Sequence, residues 1–243
     1  MLALAPKLVR GEAQVHLCVP GAQHSADLEL AESLLDARER EQVARFKHAE
    51  DRLLYTVAHG LLRLVLARYI ARPAHELELV YGAQGRPELA DLGQQHDLRF
   101  SLSHTRGLAG CAVARVDAIG FDLEAARDIE HLDIAERFFS APERQALAAT
   151  SAGQLASHFY RIWTLKEAYL KARGFGLTVP LTSFTVEPLP EPQAHLAAQP
   201  VDDPARWALR SWSLDSHFAA LALETITPLK LTTYEPHRLQ SLG

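Results

Sequence analysis

Residues 98–114 read LRFSLSHTRGLAGCAVA, and residues 209–224 read LRSWSLDSHFAALALE. Each stretch has two short runs of strand-like alternation around a polar turn, so each predicts a strand pair. Upstream of these pairs, RFKHAED at 45–51 resembles RFFSAPE at 137–143. Two sets of similar stretches in the same order indicate an internal duplication. The alternative is chance similarity in a chain rich in alanine and leucine.

Helix and strand patterns follow the same order in both halves. The first half predicts a strand, two helical stretches, a short strand and a loop, at 14–19, 26–44, 51–70, 78–80 and 81–89. The second half predicts a helix capped by Ser140, a long helix, a strand and a loop, at 137–149, 154–173, 182–187 and 188–205. The prediction is an α+β fold with two similar α+β subdomains, residues 1–116 and 117–243, related by a pseudo-twofold internal duplication. We expect the active site in the cleft between them.

Composition and charge exclude several classes of protein. The chain of 243 residues has a net charge of -5, which argues against a general nucleic-acid binder. It has no apolar run long enough to predict a transmembrane helix, and its N-terminus lacks the pattern of a signal peptide. Two cysteines, Cys18 and Cys111, are too few for a disulfide framework. We expect a cytoplasmic protein without nucleic-acid or membrane partners.

An acidic stretch, IGFDLE, occupies residues 119–124. On a strand, Asp122 and Glu124 point to one face, while Phe121 and Leu123 point to the other. Two neighbouring carboxylates repel each other unless a cation or hydrogen bonds compensate. The pair therefore indicates either a cation site or the wet face of an edge strand.

A second motif, RIWTLKEAYLK, spans residues 161–171 on the predicted long helix. Glu167 and Lys171 have the spacing of a helix salt bridge, which is worth only ~0.3–0.5 kcal/mol. Together with Asp122 and Glu124, however, Glu167 would supply three hard oxygen ligands. Such ligands suit Mg²⁺, which completes its coordination with water and phosphate oxygens. The combination favours chemistry of the phosphoryl-transfer type.

Cationic and polar residues offer contacts for an anion. Arg86 lies in a stiff Gly-Arg-Pro loop, and Ser103 and His104 lie where a strand meets a loop. Four residues share one face of the first long helix: Arg52, Thr56, His59 and Arg63. Each set also has an ordinary structural explanation, such as a solvated loop or a wet helix face. The chain has no GxxxxGK[ST] and no GxGxxG motif, so it does not predict a P-loop kinase or a Rossmann enzyme.

Five motifs together resemble the surfactin-type 4'-phosphopantetheinyl transferases. They are GFDLE, WTLKEAYLK, FSLSHT, GRP and RFKHAED, at 120–124, 163–171, 100–105, 85–87 and 45–51. The resemblance runs from about residue 30 to about residue 225 and rests above all on the first two motifs at their mutual spacing. Two α+β subdomains are also the layout of that family.

The resemblance implies an enzyme that moves the phosphopantetheine arm of coenzyme A to a serine of an apo carrier protein and releases 3',5'-ADP. Asp122, Glu124 and Glu167 would bind Mg²⁺ or Mn²⁺. Glu167 would also accept the serine proton, directly or through a metal-bound water. Asp122 and Lys171 would lie at the coenzyme A pyrophosphate, where Lys171 would favour departure of the ADP portion.

The same resemblance assigns four residues to the other end of coenzyme A. Arg86 would meet the adenosine side, Ser103 and His104 the 3'-phosphate region, and Arg52 the same region. The chain departs from the family pattern at some of its basic positions. Arg86 replaces a lysine, and glutamate and glutamine stand at 39 and 42, where some relatives have lysines.

The partner implied is an apo acyl carrier protein, or a carrier domain of a fatty acid, polyketide or nonribosomal peptide synthase. The duplicated layout resembles the monomeric class of the family, so we expect a monomer. Two alternatives are a module that binds coenzyme A without transfer and a metal-dependent hydrolase of the same pyrophosphate. Intact Asp122, Glu124, Glu167 and Lys171 argue against the module. No extra water-activating histidine is evident for the hydrolase.

Overall fold

The computed structural model describes residues 8–21, 25–82, 85–90, 98–174, 176–198 and 203–242. Within these ranges, the α-helices are α1 Ser25–Leu34, α2 Ala37–Arg45, α3 Ala49–Ile70, α4 His131–Phe138, α5 Ala141–Ala148 and α6 Ala152–Arg173. The strands in the same ranges are β1 Glu12–Cys18, β2 Leu79–Tyr81, β3 Pro87–Leu89, β4 Leu98–Thr105, β5 Leu108–Arg115, β6 Ala118–Ala125, β7 Thr185–Pro188, β8 Gln193–Ala198, β9 Trp207–Leu214, β10 His217–Glu224 and β11 Lys230–Thr233.

The first unit contains the described residues up to Arg115 and those from Lys230 onward. Its main sheet has the strand order β11-β1-β5-β4. β4 and β5 form an antiparallel hairpin that turns at Gly107, whose φ of 84° is a conformation that favours glycine. β1 pairs antiparallel with β5 and parallel with β11. The strands expected at 14–19 and 98–116 are confirmed.

Helix α3 forms the centre of the first unit's core. Leu61, Leu62 and Val65 are fully buried, in one apolar cluster with Phe100 of β4 and Val113 of β5. Among the described helices, α3 alone is long and apolar enough to cross a membrane, but 67% of its apolar window is buried inside the protein. Burial of this kind is typical of the core helix of a globular unit.

The second unit comprises Val116–Leu229. Its sheet has the strand order β6-β10-β9-β8-β7. β10 pairs antiparallel with both β6 and β9. Helix α6 lies along β6 and β10 and buries Ile162, Leu165 and Ala168. Helix α5 begins with the expected capping box between Ser140 and Glu143.

The two units have the same order of elements. A strand comes first (β1 or β6), then two short helices (α1 and α2, or α4 and α5), then a helix of 22 residues (α3 or α6) and a hairpin (β4 and β5, or β9 and β10). In each sheet, the opening strand lies beside the second strand of the hairpin, which gives β1-β5-β4 and β6-β10-β9. The α+β class is confirmed, and the shared order supports an internal duplication.

Two local predictions were wrong, and a third was incomplete. The helical stretch expected over 26–44 is confirmed but consists of two helices, and Asp36 caps the second, α2, in a capping box with Glu39. The loop expected over 81–89 contains β3, which pairs with β2. The loop expected over 188–205 contains β8, which pairs with β7 and β9.

The C-terminal segment also differs from expectation, since it completes the first unit rather than the second. β11 pairs with β1 in parallel register, and the Arg238 guanidinium lies 2.6 Å from the buried carboxylate of Asp27 on α1. Leu239 and Leu242 are buried in the core that contains α3. Backbone pairing between segments more than two hundred residues apart leaves no local signal in the sequence.

Candidate active site

The site is built on β6 and α6, which touch backbone to backbone at Gly120. A Cβ placed on Gly120 would lie 1.9 Å from the carbonyl oxygen of Ala168 and 2.4 Å from the amide nitrogen of Ala172. Only glycine allows this approach, because helix backbone atoms cannot rotate away as a side chain can. The acidic residues two and four positions further along β6 are thereby held close to α6.

Asp122 and Lys171 form the central ion pair of the site. The Lys171 ammonium donates to Oδ1 of Asp122 at 2.6 Å and to the carbonyl oxygen of Phe121 at 3.2 Å. Asp122 is buried and Lys171 is about one-third exposed. The lysine that the sequence paired with Glu167 along the helix therefore reaches across to the strand.

Glu124 and Glu167 have raised pKa values. Burial and then the charge of Asp122 raise the pKa of Glu167 to about 6, with a further rise from Glu124 and a partial offset from Lys171. Burial and Asp122 also raise the pKa of Glu124, although Arg127, Trp163 and Lys171 lower it. Mutual effects of this size require neighbouring charges. Asp122, Glu124 and Glu167 therefore lie near enough for their charges to act on one another.

Glu124 is held in place from two sides. The Trp163 indole donates a hydrogen bond to its carboxylate, and the Arg127 guanidinium lies 3.7 Å from Oε2. The backbone amide of Arg127 donates to the buried hydroxyl of Tyr160 at 2.9 Å, which anchors the loop after β6. Trp163 itself packs against three phenylalanine rings: Phe138, Phe139 and Phe159.

The donor set suits a hard divalent cation, since it consists of carboxylate oxygens with an excess of negative charge. The spacing is more open than that of a protein-only metal cage. Among the residues that the structure describes, no three His, Cys, Asp or Glu side chains are close enough to hold a metal ion. Mg²⁺ commonly uses one or two carboxylates with substrate phosphates and water. The residues therefore fit a cation that shares its coordination with a phosphate-bearing substrate.

Lys166, beside Glu167 in the motif, has a structural role. Its ammonium is fully buried, 2.7 Å from the carboxylate of Glu143, and donates to the carbonyl oxygens of Leu181 and Phe184 at 2.9 and 2.6 Å. Glu143 also accepts from the Val186 amide. This network joins α5, α6 and β7.

The other predicted contacts with coenzyme A lie in the first unit. Arg86 donates to the carbonyl oxygen of Phe100 at 3.0 Å and lines a cavity of about 280 Å³ together with Arg99. Ser103 and His104 lie near the end of β4, where Ser103 is buried and His104 is exposed. Arg52, in the first turn of α3, donates to the carbonyl oxygens of residues 46 and 47 at 3.0 and 3.3 Å.

The other residues expected on a polar face of α3 are buried rather than exposed to solvent. Thr56, His59 and Arg63 are buried, and Arg63 donates to the fully buried Glu39 at 2.8 Å. His59 Nδ1 lies 2.8 Å from the other oxygen of Glu39. Glu39, where relatives were expected to carry a lysine, thus serves a buried ion-pair network that joins α2 to α3.

Comparison with known proteins identifies the family. The model of the 4'-phosphopantetheinyl transferase superfamily matches residues 118–222, and the model of the 4'-phosphopantetheinyl transferase N-terminal region matches residues 22–115. The transferase HetI of Nostoc sp. is 36% identical over 174 residues, 71% of this chain and 73% of that protein. The chain belongs to the surfactin-type 4'-phosphopantetheinyl transferase family.

Further relatives of this transferase extend over most of the chain. The 4'-phosphopantetheinyl transferase Sfp of Bacillus subtilis is 33% identical and covers 63% of this chain and 66% of its own. A second Bacillus subtilis 4'-phosphopantetheinyl transferase is 31% identical and covers 83% of this chain and 88% of its own. The solved Thermotoga maritima holo-[acyl-carrier-protein] synthase is 21% identical, with a TM-score of 0.36, over 44% of this chain and 63% of its own.

Sequence reasoning missed the supporting residues of this transferase site. Gly120 is the first residue of the GFDLE motif. A single glycine in a strand indicates only a bulge or a close approach and does not identify the partner. Trp163 is part of the motif on the long helix, but its hydrogen bond to Glu124 of β6 was not predicted. No sequence signal distinguishes these pairings, since each joins residues of two different elements.

Proposed function

We propose that this transferase moves the 4'-phosphopantetheine arm of coenzyme A to a serine of an apo carrier protein, with Mg²⁺ or Mn²⁺, and releases 3',5'-ADP. The observation that carries the proposal is the meeting of Asp122 and Glu124 on β6 with Glu167 and Lys171 on α6. Membership of the family supports the reaction class and coenzyme A as the substrate.

Asp122, Glu124 and Glu167 would hold the divalent cation together with pyrophosphate oxygens of coenzyme A. When bound, the cation would supply charge neutralisation at the pyrophosphate. Its fit rests on the oxygen donors, since the charge of Asp122 adds to burial in raising the pKa values of Glu124 and Glu167.

Glu167 has the properties of a general base. Burial and neighbouring carboxylates raise its pKa to about 6, so it is ionised at neutral pH yet more basic than an ordinary glutamate. The serine hydroxyl would give its proton to Glu167 while its oxygen attacks the phosphorus that bears the pantetheine arm. The bond from that phosphorus to the bridging oxygen breaks, and the electron pair leaves with 3',5'-ADP. Lys171 would offset the charge on the departing phosphate.

In the first unit, Arg86, Ser103, His104 and Arg52 would meet the adenosine and 3'-phosphate of coenzyme A. Support for Arg86 comes from the cavity that it lines with Arg99 and Glu88, since two guanidinium groups against one carboxylate leave a positive charge that favours an anion. We further propose a monomeric, cytoplasmic enzyme that serves carriers of fatty acid, polyketide or nonribosomal peptide synthases.

Mass spectrometry of a carrier protein tests the proposal. Incubation of an apo acyl carrier protein with coenzyme A, Mg²⁺ and the enzyme should add one phosphopantetheine, about 340 Da, to the carrier. Binding of coenzyme A without a gain in mass would support a binding module instead. Release of 3',5'-ADP without a gain would support a pyrophosphate hydrolase.

A further inference from the structure

The Lys171 ammonium is the positive group shared by three carboxylates, those of Asp122, Glu124 and Glu167, which together form the acidic cluster. It bonds to Asp122 at 2.6 Å, and its charge lowers the pKa values of both Glu124 and Glu167. A single side chain from α6 therefore already neutralises part of the charge of all three carboxylates. The same carboxylates are the ones that would hold a divalent cation.

Ammonium and metal would compete for one carboxylate, that of Asp122. Asp122 is only 5% exposed, and its Oδ2 is a buried atom. Oδ1 is the atom to which Lys171 donates. A cation that binds Oδ1 displaces this hydrogen bond, and one that binds the other oxygen lies a few ångströms from the ammonium, where two like charges repel strongly in a partly buried site.

We propose that Lys171 is an internal competitor of the divalent cation, and that it releases Asp122 when its ammonium turns to the pyrophosphate of coenzyme A. This inference rests on the proposed function. The metal then binds weakly to the enzyme alone and tightly with coenzyme A. By linkage, the metal raises the affinity for coenzyme A by the same factor. The competition from Lys171 would keep the cation from occupying the site before coenzyme A binds.

Binding of Mn²⁺ tests the competition without any turnover. The free Mn²⁺ signal in electron paramagnetic resonance gives the affinity of each protein with and without coenzyme A, in the absence of a carrier protein. The variants are Lys171→Met, which removes the charge at similar length, and Lys171→Arg, which keeps it. Lys230→Met is the matched control, because Lys230 pairs with Glu12 and affects none of the three carboxylates.

For the wild-type protein, coenzyme A should tighten Mn²⁺ binding. Without coenzyme A, Lys171→Met should bind Mn²⁺ about tenfold more tightly than the wild type, within the usual range of coupling between two sites. The gain from coenzyme A should shrink in this variant. Lys171→Arg and Lys230→Met should keep the wild-type pattern. Circular dichroism confirms that each variant is folded.

Unchanged or weaker Mn²⁺ binding by folded Lys171→Met would overturn the competition, as would an undiminished gain from coenzyme A. A wild-type protein that binds no Mn²⁺ even with coenzyme A would instead contradict the metal in the proposed function, and the inference would fall with it. The two failures are therefore distinguishable.

Discussion

Gly120 of β6 lies so close to Ala168 of α6 that a Cβ on the glycine would stand 1.9 Å from the Ala168 carbonyl oxygen. No van der Waals contact tolerates that distance, so the strand and helix meet at the closest separation that backbones allow. Because Asp122 follows on the same strand and Lys171 on the same helix, this contact determines the width of the acidic site.

Gly120→Ala should therefore damage both stability and transfer. Overpacking of a tight contact costs about 1–3 kcal/mol, or more where only backbone can yield. Urea unfolding measures the loss, and the carrier mass assay measures the rate. Gly153→Ala is the control, since a Cβ there meets no atom within 4 Å, and it should be neutral or slightly stabilising. Equal stability of the two variants would show that the strand and helix are not held by this contact.

Glu167→Gln should abolish transfer while the fold remains intact. The amide cannot accept the serine proton, and loss of a general base typically lowers rates by about 10²–10⁴-fold. Single-turnover transfer to the carrier protein measures the effect, and thermal unfolding verifies the fold. Glu136→Gln is a matched control, because its carboxylate is 75% exposed and pairs only at the surface with Arg144. A near-normal rate for Glu167→Gln would remove this residue from both of its proposed roles.

Lys166→Met should unfold at much lower urea concentration than the wild type. The change leaves the buried carboxylate of Glu143 without its ammonium, and breaking a buried ion pair costs about 3–5 kcal/mol. The double variant with Glu143→Gln should recover part of that loss, because no uncompensated charge remains. A double variant as unstable as the sum of the two single variants would show that Lys166 and Glu143 do not interact.

His16 should make the first unit sensitive to mild acid. Burial, followed by the charges of Arg68 and His237, lowers its pKa to about 3, and its Nε2 lies 2.9 Å from the Tyr69 hydroxyl. Below pH 6.5 the imidazole of His16 is protonated in the unfolded chain but stays neutral in the folded protein. The free energy of unfolding therefore falls as the pH falls from 6.5 towards 3. The slope contributed is up to about 1.4 kcal/mol per pH unit.

His16→Gln removes this titration and should flatten the dependence of unfolding free energy on pH. Urea unfolding between pH 6.5 and about pH 5 isolates the effect, because most carboxylates titrate below that window. The other histidines are present in both proteins and cancel in the comparison. An equally steep slope in the variant would mean that His16 is protonated in the folded protein.

Much of the fold follows from local pattern. The long helices α3 and α6, the hairpins β4–β5 and β9–β10 and the capping box at Ser140 were predicted correctly, because periodicity, caps and turns act over a few residues. The helix break at Asp36 and strands β3, β8 and β11 were not predicted. Each of these strands is short and exists because a partner strand offers hydrogen bonds.

The acidic motifs by themselves determined which side chains would meet, since strand alternation puts Asp122 and Glu124 on one face and the motif pair indicates the family. Only the tertiary structure decided how they meet. In it, Lys171 donates to Asp122 and the Trp163 indole donates to Glu124. Glu39 is buried and accepts from Arg63. These pairings depend on the distance between secondary-structure elements. Packing at Gly120 sets that distance for β6 and α6, and the spacing of residues along the chain does not encode it.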